Sequence, residues 1–200
     1  MNGHLKMNYE FDLNLCGIDE AGRGPLAGPL VVAGVKLDKQ IEGLNDSKKL
    51  TKKQREKLFD EICANSKYEI VFHSNLQIDR LGLSKCIQNS LIQIMQKIES
   101  DRYLFDGNTN YKITNLSNLI KADTKIAQVS AASILAKVSR DRFMDDVAPQ
   151  FSNFDFASHK GYGTKKHIEE IEKFGYTEIH RKSFKLKKHF KPTKWSLLIE

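Results

Sequence analysis

Four acidic side chains stand where a folded chain could gather them. Asp19 and Glu20 are adjacent in Cys-Gly-Ile-Asp-Glu, Asp106 ends Tyr-Leu-Phe-Asp, and Asp123 lies in Ile-Lys-Ala-Asp-Thr. In a layered α/β fold, acids at strand ends converge at the edge where ligands bind. Carboxylates gathered there repel one another unless a cation compensates. Hard oxygen ligands of this kind suit Mg²⁺ or Mn²⁺ rather than Zn²⁺. Two such ions about 4 Å apart activate a water and stabilise the leaving oxygen in phosphodiester hydrolysis. The same acids could serve as helix caps and dipole partners, and spacing alone leaves both readings open. One tension is geometric. Neighbours on a regular strand point to opposite faces, so Asp19 and Glu20 share a site only if the strand bends or ends between them.

The acids are followed at once by Ala-Gly-Arg-Gly-Pro-Leu-Ala-Gly-Pro, residues 21–29. A phosphate-binding P-loop requires Lys-Ser/Thr after its last glycine, and none follows Gly28. The dinucleotide pattern fails because Ala27 stands where its third glycine belongs. Pro25 and Pro29 also remove amide donors. Two readings survive, a tight turn or a loop whose bare backbone approaches a ligand closely.

The elements that must position these residues can be read from periodicity. Residues 15–19 and the β-branched run 28–37 read as strands joined by a short glycine-rich turn, hence an antiparallel hairpin. Thr51 with Gln54 forms a capping-box pattern opening a helix through residue 66. Residues 68–75 alternate like a strand, and 78–98 carry Leu and Ile at helical spacing, which predicts one long helix. Residues 103–107 read as a short strand, with 111–114 pairing beside it. Residues 126–147 predict a helix whose small residues pack closely on a sheet. Thr164 caps a last helix that Gly175 terminates. Strands alternating with helices indicate an α/β fold around one mixed sheet.

Composition sets the class. The chain has 200 residues, 40% of them hydrophobic, which suits one core. No apolar run approaches a membrane span of about 20 residues, and the first residues lack the apolar core of a secretory signal. Cys16, Cys63 and Cys86 are widely spaced, as in reduced cytoplasmic proteins. The net charge is +7; seven of the 32 Lys and Arg fall in residues 181–194 without an acid, and elsewhere basic and acidic residues balance at 25 each. That tail is either solvated or an arm that tracks phosphates.

The motifs together resemble bacterial ribonuclease HII, the type 2 ribonuclease H family. The resemblance rests on GIDEAGRGPLAGP (17–29), LNDSKKLT (44–51), LFDGN (104–108), IKAD (120–123), SAASILAKVSRDR (130–142), SHKGYGT (158–164) and TEIHRKSF (177–184), in the family's order. It implies a ribonuclease H-like fold: a central mixed sheet flanked by helices, with a short helical or basic C-terminal segment. It implies a catalytic domain over 13–184, an extension over 1–12 and a basic tail over 185–200. The implied activity is endonucleolytic cleavage of RNA in RNA–DNA hybrids and nicking 5′ of a single ribonucleotide in duplex DNA, giving 3′-hydroxyl and 5′-phosphate ends. Carried over by motif, Asp19, Glu20, Asp106 and Asp123 are the catalytic and metal-binding acids, holding Mg²⁺ or Mn²⁺, two ions in the catalytic complex. Gly22, Arg23 and Gly24 contact the 2′-hydroxyl and backbone at the ribonucleotide, and Tyr162 stacks on the next sugar. Lys48 is a phosphate contact.

Other residues sort as structural. Asp141, between Arg140 and Arg142, reads as a salt-bridge partner, Asp145 and Asp146 as solvated, and His159 as structural rather than substrate-binding. The expected partners are RNA–DNA hybrid and ribonucleotide-containing duplex, with a monomeric protein, no membrane contact and no evident sliding-clamp peptide. A non-catalytic hybrid-binding protein of the same fold is the alternative. Four clustered acids argue against it, because without metal they weaken phosphate binding.

Overall fold

The computed structural model describes residues 10–44, 47 and 50–185. The first residues, Lys48 and the basic tail from 186 onward lie outside that range. A five-stranded mixed sheet forms the centre, in the order β3–β2–β1–β4–β5. Strands β1 (Leu15–Ala21) and β2 (Leu30–Leu37) pair antiparallel, as do β2 and β3 (Ser66–His73). Strand β4 (Arg102–Asp106) runs parallel to β1 and to β5 (Leu116–Leu119).

Alternation along the strands assigns each face. On β2, Val31, Ala33, Val35 and Leu37 pack with α1 (Lys52–Ala64) and α4 (Ala127–Val147), whereas Leu30 and Val32 pack with α3 (Leu83–Lys97). Helix α4 lies close on β1 because Gly17 has no side chain: a Cβ there would stand 2.4 Å from the backbone of Gln128 and Val129. The small, buried residues of Ala127–Ala136 make this approach possible, as the sequence indicated.

The capping box predicted at Thr51 is present: Gln54 N–H donates to Thr51 Oγ1, and Gln54 Oε1 accepts from the Thr51 amide. Helix α6 (Lys165–Phe174) is capped by Thr164 and ends at Gly175, with φ 77°. Two expectations are corrected. The predicted helix 78–98 is two helices, α2 (Asn75–Leu81) and α3, broken at Gly82, whose φ of 78° no helix contains. Its true start is a second capping box, Ser74 with Gln77. Residues 111–114 are not a strand: Tyr111 and Lys112 have left-handed backbone, and β5 begins five residues later than expected. A four-residue helix, α5 (Phe156–His159), precedes the turn that carries Tyr162.

Candidate active site

The parallel pairing of β1 with β4 sets Ile18 opposite Phe105. The next residue on each strand is an acid, so Asp19 and Asp106 stand side by side. Both point to the α4 face: Gly17 meets α4 two residues before Asp19, and Leu104 packs with Ala122 and Val129 two residues before Asp106. Asp123 joins them from the single 3₁₀ turn Ala122–Thr124 that immediately precedes α4. Its amide donates to Asp106 Oδ2 at 3.4 Å, and the Lys121 amide donates to Asp106 Oδ1 at 2.9 Å. Each of the three aspartates offers an oxygen, and those oxygens lie within 4.8 Å of one another.

The strand does not bend between Asp19 and Glu20. It continues in register to Ala21, with Glu20 opposite Val32. Glu20 accordingly faces the other side of the sheet, where its carboxylate lies 3.3 Å from Arg23 Nε. Both acids still line one cleft of about 670 Å³, because the cleft wraps the end of the sheet. Gly22, Arg23, Gly24, Lys121, Lys137 and Tyr162 complete its walls. A separate hollow of about 480 Å³ beside Ser100–Tyr103 and Asn110–Ser117 gathers no such set of acids.

Burial, followed by the negative charges of Glu20 and Asp106, pushes the Asp19 carboxyl well above the ordinary carboxylate value, against a hydrogen bond from Ser133. Ser133 Oγ in turn lies 3.0 Å from Ser47 Oγ. A site built only of hard oxygen donors, so crowded that the buried Asp19 carboxyl is pushed toward its neutral form, fits a small divalent cation. Asp19, Asp106 and Asp123 are the residues placed to hold it.

The glycine loop is held from beneath by two arginines that are each 0% exposed. Arg181 donates from Nε to Gly28 O (2.9 Å), from Nη2 to Gly22 O (2.7 Å) and from Nη1 to Arg23 O (3.3 Å). Arg140 donates from Nε to Pro29 O (2.9 Å) and from Nη2 to Ala27 O (3.1 Å). Arginine suits this work because its planar fork serves several acceptors in fixed geometry. In a trans peptide, C=O and N–H point opposite ways. With the Gly22 and Arg23 carbonyls turned to Arg181, the amides of Arg23 and Gly24 are turned away from it, on two exposed residues of the cleft wall. Gly22 permits the arrangement: its φ is 95°, and a Cβ would meet Arg140 Nε at 2.3 Å.

Arg23 projects from the loop with Glu20 on one side and Tyr111 on the other, its Nη2 donating to the tyrosine hydroxyl at 2.7 Å. The Tyr162 ring, 40% exposed, lies over Arg140, whose Cζ is 5.3 Å from the ring centroid.

Arg140, Arg181, Ser133 and Tyr111 carried no role in the sequence reading. For Arg140 a signal existed, since it recurs with Ser133, Ala136 and Met144 on the buried face of α4. Arg181 had no such signal, because it lies outside any periodic element. Asp141 is a salt-bridge partner as expected, though of Lys137 at 2.7 Å. Asp145 is not simply solvated; it pairs with Lys52 at 3.1 Å and with Lys160. His159 is buried and bonded within the protein.

The family model for ribonuclease HII matches residues 16–187. The chain belongs to the ribonuclease HII family. It is 62% identical over 176 residues to ribonuclease HII of Aliarcobacter butzleri, covering 87% of this chain and 92% of that protein. Among solved structures it is similar to the ribonuclease H2 of Pyrococcus horikoshii, with TM-score 0.72 and 29% identity over 85% of this chain and 93% of that one. The ribonuclease HII of Archaeoglobus fulgidus, solved as a complex with PCNA, gives TM-score 0.74 and 28% identity over 84% and 92%. Family membership makes this chain an endoribonuclease of the ribonuclease H type, acting on RNA–DNA hybrids and dependent on divalent metal. Among the described residues, no helix is long and apolar enough to cross a membrane.

Proposed function

We propose that this ribonuclease nicks duplex DNA on the 5′ side of a single embedded ribonucleotide, besides cleaving longer hybrids, and leaves 3′-hydroxyl and 5′-phosphate ends. The observation that carries the reading is one of adjacency: the three-aspartate cluster and the exposed Arg23–Gly24 backbone line the same cleft. A 2′-hydroxyl is what distinguishes RNA from DNA at one position. Reading it needs donors and acceptors at short range, which a glycine backbone offers without an intervening side chain.

Asp19, Asp106 and Asp123, with Glu20 at the rim, are the proposed acids, binding Mg²⁺ or Mn²⁺ in a two-ion complex. Bound ions supply an activated water and neutralise charge on the phosphate. The protein's own part is placement. The Lys121 and Asp123 amides orient the Asp106 carboxylate, and Ser133 holds Asp19. Arg181 turns the loop carbonyls inward so that the Arg23 and Gly24 amides face the substrate sugar. Glu20 and Tyr111 aim the Arg23 guanidinium, and Tyr162 is the surface for the following sugar. Lys48 remains the proposed phosphate contact, the protein acts as a monomer, and its place is the cytoplasm.

A labelled duplex with one ribonucleotide, incubated with Mg²⁺ or Mn²⁺, tests the reading. The parent protein nicks 5′ of the ribonucleotide. Asp19→Asn and Asp106→Asn lose on the order of 10³-fold or more, about 4 kcal/mol of transition-state stabilisation. Parent-like nicking by either variant refutes the assignment of the acids, and an intact duplex with the parent refutes the single-ribonucleotide activity.

A further inference from the structure

Behind Tyr162 lies a group of three buried histidines that neither the acids nor the glycine loop uses. His159 closes α5, His167 lies on α6, and His180 is in the segment that pairs with Ala27. The rings of His159 and His167 stack with centroids 4.1 Å apart, and Phe154 and Phe156 wall the group.

The backbone at each end dictates where the protons sit. The Thr177 amide donates to His180 Nδ1 at 2.8 Å, so that nitrogen carries a lone pair. The proton of neutral His180 is therefore on Nε2, which lies 3.0 Å from His167 Nε2. His167 Nε2 must accept, which places the His167 proton on Nδ1, 3.0 Å from the Tyr162 carbonyl. That carbonyl can only accept, so every link is consistent with one direction. The same argument applies to His159. Its Nδ1 accepts from the Gly161 amide at 3.1 Å, and its Nε2 donates to Glu170 Oε2 at 2.9 Å.

We propose that His180 and His167 form a directed hydrogen-bond relay that fixes the Tyr162 peptide, and with it the tyrosine ring, over the cleft. They are positioning residues, and the assignment rests on the proposed substrate role of Tyr162. The turn is clamped on its other side by the glycine loop: the Leu26 amide donates to Gly161 O at 2.8 Å, and a Cβ on Gly161 would meet Ala27 O at 2.3 Å. Tyr162 is thus held between the loop that follows the acids and the histidine relay.

A proton added to His167 goes on Nε2 and sets two donors against each other at the 3.0 Å contact, and one added to His180 goes on Nδ1 and opposes the Thr177 amide at 2.8 Å. The charged groups facing the relay are Glu170 from α6 and Asp155 from the start of α5, the latter paired with Lys166; Tyr176 packs on His180. Asp155 acts on His159, and Glu170 bonds His159 while also acting on His167, where it opposes the larger effects of burial and of His159. Burial, and then the neighbouring histidines, depress the His167 pKa to about 4 and that of His180 to about 3, so the neutral relay is intact at neutral pH.

Two-bond proton–nitrogen spectra of ¹⁵N-histidine protein at neutral pH test the relay without substrate. His167 shows the Nδ1–H tautomer and His180 the Nε2–H tautomer; the reverse assignment, or a charged ring, overturns the proposal. Binding to the single-ribonucleotide duplex in chelator then tests what the relay is for. His167→Asn keeps a donor near the Nδ1 position and binds like the parent. His167→Gln places its amide near Nε2 and binds about tenfold more weakly, near the low end of an aromatic contact to nucleic acid. In a Tyr162→Ala background the Gln substitution adds less than about twofold, because its effect passes through the tyrosine. An equal loss in both backgrounds overturns the positioning role. If the parent cuts no ribonucleotide duplex, the functional reading fails separately, and the tautomer spectrum still decides the relay.

Discussion

Arg181 Nη2 donates to the Gly22 carbonyl across 2.7 Å, joining residues 159 positions apart in the chain. Through that bond the TEIHRKSF motif near the end of the domain governs the loop that follows the first two acids. A buried guanidinium without a carboxylate partner is costly. Here it is balanced by backbone carbonyls, so loop and arginine depend on each other.

Replacing Arg181 should therefore do more than remove a charge. Arg181→Ala strands the carbonyls of Gly22, Arg23 and Gly28, at about 1–3 kcal/mol for each acceptor left buried. Arg181→Lys keeps the charge but has no fork to serve three acceptors. In chelator, the Lys variant should bind a single-ribonucleotide duplex and an all-DNA duplex with nearly equal affinity. Retained preference for the ribonucleotide would show that Arg181 does not set the reading surface.

Gly22 and Gly24 should separate stability from recognition. Gly22→Ala forces a side chain into left-handed backbone against Arg140 and should cost on the order of 1–3 kcal/mol in urea unfolding. Gly24 has ordinary backbone, and nothing lies within 4 Å of a Cβ there. Gly24→Ala should unfold like the parent yet bind the ribonucleotide duplex more weakly, since its methyl group stands at the cleft wall. Equal binding would place the sugar elsewhere.

The acid cluster should weaken the metal-free fold. Asp19 is buried beside two like charges, so Asp19→Asn in chelator should raise the unfolding midpoint while abolishing nicking. Added Mn²⁺ should stabilise the parent, as any ligand selective for the folded state does, and stabilise the Asn variant much less. An Asp19→Asn protein that is less stable in chelator, or that gains as much from Mn²⁺, would contradict this account.

Acid should unfold the protein through the histidines. In the unfolded chain His167 and His180 titrate near the ordinary 6.5, but in the fold only near about 4 and about 3. Between those values the unfolded state binds more protons, so stability falls as pH drops. Their contribution is complete above pH 6.5 and declines below it. Urea titrations between pH 7.5 and 5 should show that decline, and His180→Gln should flatten it. An identical slope in the variant would mean that other groups carry the acid sensitivity.

Much of the fold was legible. The hairpin β1–β2, the Thr51 capping box, α4 with its small-residue face and the Gly175 stop follow from local chemistry that each residue carries within a few positions. The errors arose where local rules competed. Helical spacing ran straight across 78–98, but Gly82 and the Ser74 cap divided it. Residues 111–114 had strand composition, yet Tyr111 is turned inward to stack its edge on Phe105 and to accept from Arg23.

The amino-acid sequence by itself determined the chemistry of the site: which acids, which glycines, and what family pattern they form. Residue type and spacing suffice for that, because metal preference and backbone freedom belong to the residues themselves. Tertiary structure alone decided how those groups meet. The β1–β4 register sets Asp19 beside Asp106, while Glu20 stays across the sheet because the strand does not bend. Arg140, Arg181 and the histidine relay act through hydrogen bonds between segments more than 100 residues apart or between packed rings. Periodicity marks Arg140 as buried, but no local pattern encodes which carbonyls the two arginines serve, since those partners are backbone atoms that every residue possesses. Nor does one encode which histidine rings meet, since that is set by the packing of α5, α6 and the segment after it.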